Sequence, residues 1–77
     1  MVNHYYLAKG LNKLAQGWHE MGEDAVAISI YRYVIRMHRK NPEATFGDQK
    51  AEYYALVQDY EALNRCSNID EKQLIRN

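Results

Sequence analysis

Residues 24–40 constrain the fold of this chain more than any other segment. On a helix with about 100° per residue, their apolar side chains cover nearly two thirds of the circumference, and the remaining sector is basic. The basic sector holds Arg32, Arg36, Arg39 and Lys40. A helix with so wide an apolar arc needs packing partners on at least two sides. We therefore predict that it is the central helix of an all-α bundle.

The length of 77 residues predicts one helical domain over residues 1–77. Hydrophobic residues make up 47% and charged residues 26%, which is typical of globular chains rather than disordered ones. A domain of this size buries a core that is only marginally sufficient for stability. Because three helices also cannot hide all of the apolar helix surface, we expect a homodimer or another small homo-oligomer.

A heptad pattern predicts helix one at about residues 4–21. Its apolar residues follow a four-three-four-three spacing, which favours a stripe facing the core. The stripe consists of Leu7, Leu11, Leu14, Trp18 and Met21, with Ala8 and Ala15 beside it. Gly10 and Gly17 lie next to the stripe, and a glycine costs about 1 kcal/mol inside a helix. These glycines either permit the close approach of another backbone or mark a locally weak turn.

Short connections predict how the helices follow one another. Gly22 is suited to a left-handed helix end, and helix two begins at residue 24, so helices one and two form an antiparallel hairpin. Pro42 ends helix two near residue 40, and a helical turn can begin at that proline. The topology is therefore a three-helix antiparallel bundle with helix two in the centre.

Helix three is predicted at about residues 49–65, and a short fourth helix at about 69–76. The core stripe of helix three again has heptad spacing, and it consists of Tyr53, Leu56, Val57, Tyr60 and Leu63. Phe46 precedes this stripe by one heptad, so we expect it to plug the end of the core. A second strip of small residues, Ala51, Ala55, Ala62 and Cys66, either receives the C-terminal segment or a second subunit, or is a plain exposed face.

No residue pattern predicts catalysis, a cofactor or a metal. The three histidines lie far apart in sequence and far from the single Cys66, without the spacing of a zinc site. The four glycines form no phosphate-binding loop. We therefore predict that the chain is not an enzyme, that it binds no cofactor and that it holds no metal.

The basic stripe Arg32, Arg36, Arg39 and Lys40 is the strongest polar pattern in the sequence. Four cations on one helical face repel one another unless something negative compensates them. Three interpretations are open: a solvated face, a contact with acidic groups of a protein, or a contact with nucleic acid. The formal net charge of zero favours a protein over nucleic acid as the partner.

Seven tyrosines are many for so short a chain. Tyr31, Tyr33, Tyr53 and Tyr60 belong to apolar arcs of their predicted helices. By contrast, Tyr5, Tyr6 and Tyr54 project from polar faces, and exposed tyrosines are favoured at protein interfaces. These three are therefore additional candidates for partner contact.

The sequence as a whole favours a small non-enzymatic protein-binding regulator, adaptor or inhibitor. The alternative is a nucleic-acid-associated regulator that uses the basic face of helix two. No segment has the roughly 20 apolar residues needed to cross a bilayer. The first twenty residues lack the pattern of an export signal, so we expect the protein in the cytoplasm.

Overall fold

The computed structural model describes residues 4–76, and the side chains of residues 4–66. All regular structure in that range is helical. The elements are α1 (His4–Glu20), α2 (Asp24–Lys40), the single turn α3 (Pro42–Thr45) and α4 (Lys50–Arg76). α2 packs against each of the other three helices. The predicted all-α class and the central position of helix two are thereby confirmed.

The turn between α1 and α2 follows from Gly22. This residue has φ +85°, a left-handed conformation that glycine adopts without steric cost. The amide of Gly22 donates to the carbonyl of His19 at 2.9 Å, and that of Glu23 donates to the carbonyl of Trp18, also at 2.9 Å. These two bonds form a Schellman motif, which satisfies the last carbonyls of α1 and turns the chain directly into α2.

The connector after α2 contains the helical turn predicted to begin at Pro42. The last residue of this turn, Thr45, is fixed by burial and a hydrogen bond. Thr45 is fully buried, and its hydroxyl donates to the carbonyl of Asn41 at 2.9 Å. Gly47 then has φ +41°. A Cβ there would lie 3.0 Å from the carbonyl oxygen of Glu43, so the chain can pass this point closely only with glycine.

The core is centred on α2. Half of the ten buried hydrophobic residues found within residues 4–66 belong to this helix: Ala27, Ile28, Tyr31, Val34 and Ile35. α4 adds Leu56 and Leu63, and the connector adds Phe46. The core stripe predicted for helix three and the plug at Phe46 are confirmed, with Tyr53, Val57 and Tyr60 partly buried along the margin.

The predicted core stripe of helix one is confirmed in part, because Leu11 and Trp18 pack against the core but the other three residues of the stripe do not. Leu14 is 52% exposed and Met21 71% exposed, and Leu7 is exposed as well, whereas Ala8 and Ala15 are fully buried. α1 is thus rotated toward its alanine side, by roughly 60° from the predicted orientation. The reason is packing: alanines let α1 approach its neighbours closely, and no described helix covers the leucine side.

Two further expectations are corrected. The break predicted near residue 67 is absent, because α4 is one continuous helix, Lys50–Arg76, and the expected short fourth helix is its C-terminal part. Tyr33, assigned to an apolar arc, is 56% exposed. It lies on the edge of α2 that neither α1 nor α4 covers.

Candidate functional site

A groove with charged walls lies between α2 and α4. It has a volume of about 400 Å³. α2 contributes Arg32, Arg36 and Arg39, which share one side because residues three or four apart are neighbours on a helix surface. From α4 come Tyr53, Val57, Tyr60 and Glu61, and Ile35 of α2 completes the lining. We call this the arginine groove.

Arg32 is held in place by α4. Its Nε donates to the hydroxyl of Tyr60 at 3.2 Å, and its Nη2 donates to Asn64 Oδ1 at 3.3 Å. The guanidinium carbon also lies 5.8 Å from the centroid of the Tyr60 ring, within the range of a cation–π contact. All of these partners are neutral, so they orient the guanidinium without cancelling its charge.

Arg36 and Arg39 are exposed, and neither forms an ion pair with an acid among residues 4–66. Over residues 4–66, where side chains are described, the one ion pair within 4.0 Å joins His19 and Asp24 at 2.7 Å. Glu61 lines the groove but lies beyond that distance from both arginines. The described lining of the groove therefore has three arginines against one acid, and the guanidinium groups of Arg36 and Arg39 are accessible to an anion.

The floor of the groove is apolar and aromatic. Ile35 is buried, and Val57 and Tyr53 are partly buried. The Tyr53 ring stacks on His38, with centroids 3.8 Å apart. Burial lowers the pKa of His38 and so favours the neutral imidazole behind the arginines. The site thus combines apolar contact area with cationic walls.

Lys40, the fourth residue of the predicted basic stripe, is separate from the arginine groove. It lines a shallower depression of about 220 Å³ with Tyr33, Arg36 and Met37. Arg36 borders both depressions. An extended ligand could therefore run from the groove across Arg36 to Lys40.

The three tyrosines proposed for partner contact lie elsewhere. Tyr5 joins α1 to α4, because its hydroxyl donates to Glu52 Oε2 at 3.0 Å. That hydrogen bond is the main cause of the raised pKa of Tyr5. Tyr6 and Tyr54 are exposed by 67% and 63%. Neither Tyr6 nor Tyr54 lines the arginine groove, so the structure does not bring them together with the basic stripe.

The sequence pattern predicted the arginines of the groove but not the two tyrosines that line it from α4. Tyr53 and Tyr60 lie seven residues apart in the stripe of α4, as do Arg32 and Arg39 in α2. Matching seven-residue spacings on two neighbouring helices were the available signal. Their pairing depends on the register of α4 against α2, which is set by tertiary packing.

Residues 4–66 contain no group of three or more His, Cys, Asp or Glu side chains that could hold a metal ion. In the same part of the chain, no helix is long and apolar enough to cross a membrane. Comparison with family models, curated proteins and solved structures finds no match to this chain.

Proposed function

We propose that the protein is a non-enzymatic binding regulator, of the adaptor or inhibitor type, which holds an acidic segment of another protein in the arginine groove. The observation that carries this proposal is the set of three uncompensated arginines above an apolar, aromatic floor. Guanidinium groups bind carboxylates through two parallel hydrogen bonds. The floor supplies the apolar contact on which affinity at protein interfaces largely depends.

The groove favours a particular type of segment. Arg32 and Arg39 are seven residues apart, which corresponds to about 10 Å along the helix. A peptide that crosses this span can place carboxylates on two arginines and an aromatic or aliphatic side chain between Ile35 and Val57. The preferred ligand is therefore a short segment with acidic residues on both sides of an apolar one.

The proposal is tested by fluorescence anisotropy with a labelled peptide that has two glutamates on each side of a phenylalanine. We expect saturable binding, and a loss of at least about tenfold in affinity, or about 1.4 kcal/mol, for Arg36→Glu/Arg39→Glu. The matched control is Lys9→Glu/Lys13→Glu, which makes the same charge change on α1. Equal losses for both variants, or equal binding of a glutamine version of the peptide, would contradict the proposal.

One observation favours nucleic acid as the second candidate. Tyr53 and Tyr60 lie beside the arginines, and aromatic rings next to cations can stack on unpaired bases. If the ligand is single-stranded RNA or DNA, affinity for an oligonucleotide falls steeply between low and moderate salt. A shallow salt dependence for the acidic peptide, with no oligonucleotide binding, distinguishes the first candidate from this one.

A further inference from the structure

The hairpin of α1 and α2 exposes a second, apolar surface on the side away from α4. α1 presents Leu7, Leu14 and Met21, and α2 presents Val26 and Tyr33 with the partly buried Ile30 and Met37 at its margin. We call these seven residues the hairpin face. The α1 residues that line a groove with α4, such as Asn12 and Gln16, lie on the opposite side of that helix.

The two helix arcs that form the hairpin face carry no charged residue, and Arg36 and Lys40 lie at its border beside Tyr33 and Met37. At about 100° per residue, the arc of α1 that runs from Tyr6 through Leu14 to Leu11 contains no Asp, Glu, Lys or Arg. The arc of α2 from Tyr33 through Met37 to Val34 contains none either. A two-helix surface without charge is larger than the scattered single apolar residues usual on monomers, and such surfaces mark protein contacts.

The α1 part of the face is symmetric about Leu14. Leu7 precedes Leu14 by seven residues, and Met21 follows it by seven. An antiparallel second copy of α1 therefore places Leu14 against the partner's Leu14, and Leu7 against the partner's Met21. Gly10 comes within one residue of the partner's Gly17 in the same arrangement. This is the self-complementarity that an interface with two-fold symmetry requires.

The α2 part of the face has the same property. Its residues Val26, Ile30, Tyr33 and Met37 follow a four-three-four spacing, which reads the same in both directions. The centre of symmetry lies midway between Tyr31 and Arg32. An antiparallel second α2 then places Val26 against the partner's Met37, and Ile30 against the partner's Tyr33.

Both centres of symmetry lie at the same height in the hairpin. Leu14 is six residues before the end of α1 at Glu20, which corresponds to about 9 Å from the turn. The α2 centre is seven and a half residues after Asp24, the start of that helix, or about 11 Å from the turn. A single rotation axis therefore satisfies both helices, although nothing in the fold of one chain requires the two centres to coincide.

The two glycines of α1, Gly10 and Gly17, support the packing of a second helix on this surface. A Cβ built at Gly10 or at Gly17 meets no heavy atom within 4 Å, so the fold of one chain does not need glycine at either position. Each glycine costs about 1 kcal/mol of helix stability relative to alanine. A partner backbone that approaches closely along this edge explains why both positions are glycine.

From these observations we propose that a second copy of this chain covers the hairpin face, forming a two-fold symmetric dimer. The core of the interface is a bundle of four helices, α1 and α2 from each copy. Each helix packs antiparallel to the same helix of the partner. α4 lies on the outer side of each hairpin, so the arginine grooves remain open. The inference does not depend on the proposed function of the groove.

The first test is the mass of the full chain by analytical ultracentrifugation between about 5 and 500 μM. We expect a dimer that dissociates on dilution, and for Leu14→Glu a dissociation constant at least about a hundredfold higher, because two carboxylates meet at the rotation axis. The matched control, Tyr54→Glu on α4, changes a similarly exposed residue and leaves the dimer intact. Circular dichroism checks that both variants keep their helix content.

The second test fixes the geometry. In a Cys66→Ser background, Leu14→Cys should be linked to the partner's position 14 by a short bismaleimide, whereas Tyr54→Cys should not be linked. Gly10→Ala/Gly17→Ala should weaken association.

A monomeric wild-type chain at 500 μM would overturn the proposal, and so would a dimer that is insensitive to Leu14→Glu or is linked through position 54. Arg36→Glu/Arg39→Glu should leave the mass unchanged, so failure of the dimer and failure of the groove are distinguishable.

Discussion

At the scale of single residues, protonation of the His38 ring affects packing, because this residue of α2 contacts both α4 and the connector. Its ring stacks on Tyr53 of α4 and lies edge-on to Phe46 of the connector, with centroids 5.5 Å apart. Its Nδ1 is buried without a hydrogen-bond partner. A proton added to this ring would place a charge among aromatic side chains, which is why burial lowers the pKa of His38.

This lowered pKa predicts how stability depends on pH. The unfolded chain takes up the proton near pH 6.5, before the folded chain does. The contribution of His38 is therefore fully present above pH 6.5 and is lost as the pH falls toward the lower folded-state pKa. Urea midpoints at pH 7.5 and 5.5 should show this loss, and His38→Gln should reduce it. The assignment would be contradicted if the drop in urea midpoint between pH 7.5 and pH 5.5 were unchanged in His38→Gln but reduced in His19→Gln, the exposed control.

Gly47 provides a second prediction at this scale. Alanine at this position combines a left-handed φ with a Cβ 3.0 Å from a backbone carbonyl, so Gly47→Ala should lower the free energy of unfolding by about 1–2 kcal/mol. Gly10→Ala should raise it by up to about 1 kcal/mol, because the space beside Gly10 is open. Both are measured by urea unfolding in the Leu14→Glu background, where association does not enter. Equal effects of the two substitutions would refute this distinction.

At the scale of the helix, the orientation of α1 decides which neighbouring residues are sensitive to substitution. Ala15 is fully buried, and Leu14 is half exposed. Ala15→Leu should therefore overpack the core and cost about 1–3 kcal/mol. Leu14→Ala should cost less than about 1 kcal/mol in the monomer, measured by urea unfolding at low micromolar concentration. A larger loss of stability for Leu14→Ala than for Ala15→Leu would indicate that the leucine stripe faces the core.

The helices also show which features a sequence can predict. The bounds of α2 agree with the prediction because acids begin the helix and Pro42 follows its end, and both signals are local. The orientation of α1 was not predictable, because the arcs of Leu14 and Ala15 are adjacent. Hydrophobicity favours leucine in the core, whereas close helix approach favours alanine. The continuity of α4 was missed because residues 66–68 are weak helix formers, and local propensity is easily overridden.

For the candidate site, the sequence predicted the arginine side of the groove and no more. Four basic residues on one face of α2 follow from helical spacing alone. Whether that face is solvated or meets a neighbour depends on which turn of α4 lies opposite. That register is set by Leu56 and Leu63 in the core, far from the arginines in sequence.

At the scale of the whole molecule, two opposite surfaces have different proposed tasks. The arginine groove, between α2 and α4, offers charge and aromatic contact to an acidic segment. The hairpin face, on the other side of α2, offers an uncharged surface to a second copy. Because α2 is central, it contributes residues to both surfaces, and a dimer presents two grooves.

The most direct test of this account is an amide ¹H–¹⁵N NMR titration of the full chain with the glutamate-flanked phenylalanine peptide. We predict that the shifted resonances belong to residues 32–39 of α2 and 53–61 of α4, while those of Leu7, Leu14 and Met21 are unchanged. Shifts confined to the hairpin face, or no shifts at millimolar peptide, would contradict the central claim that the arginine groove is the binding site.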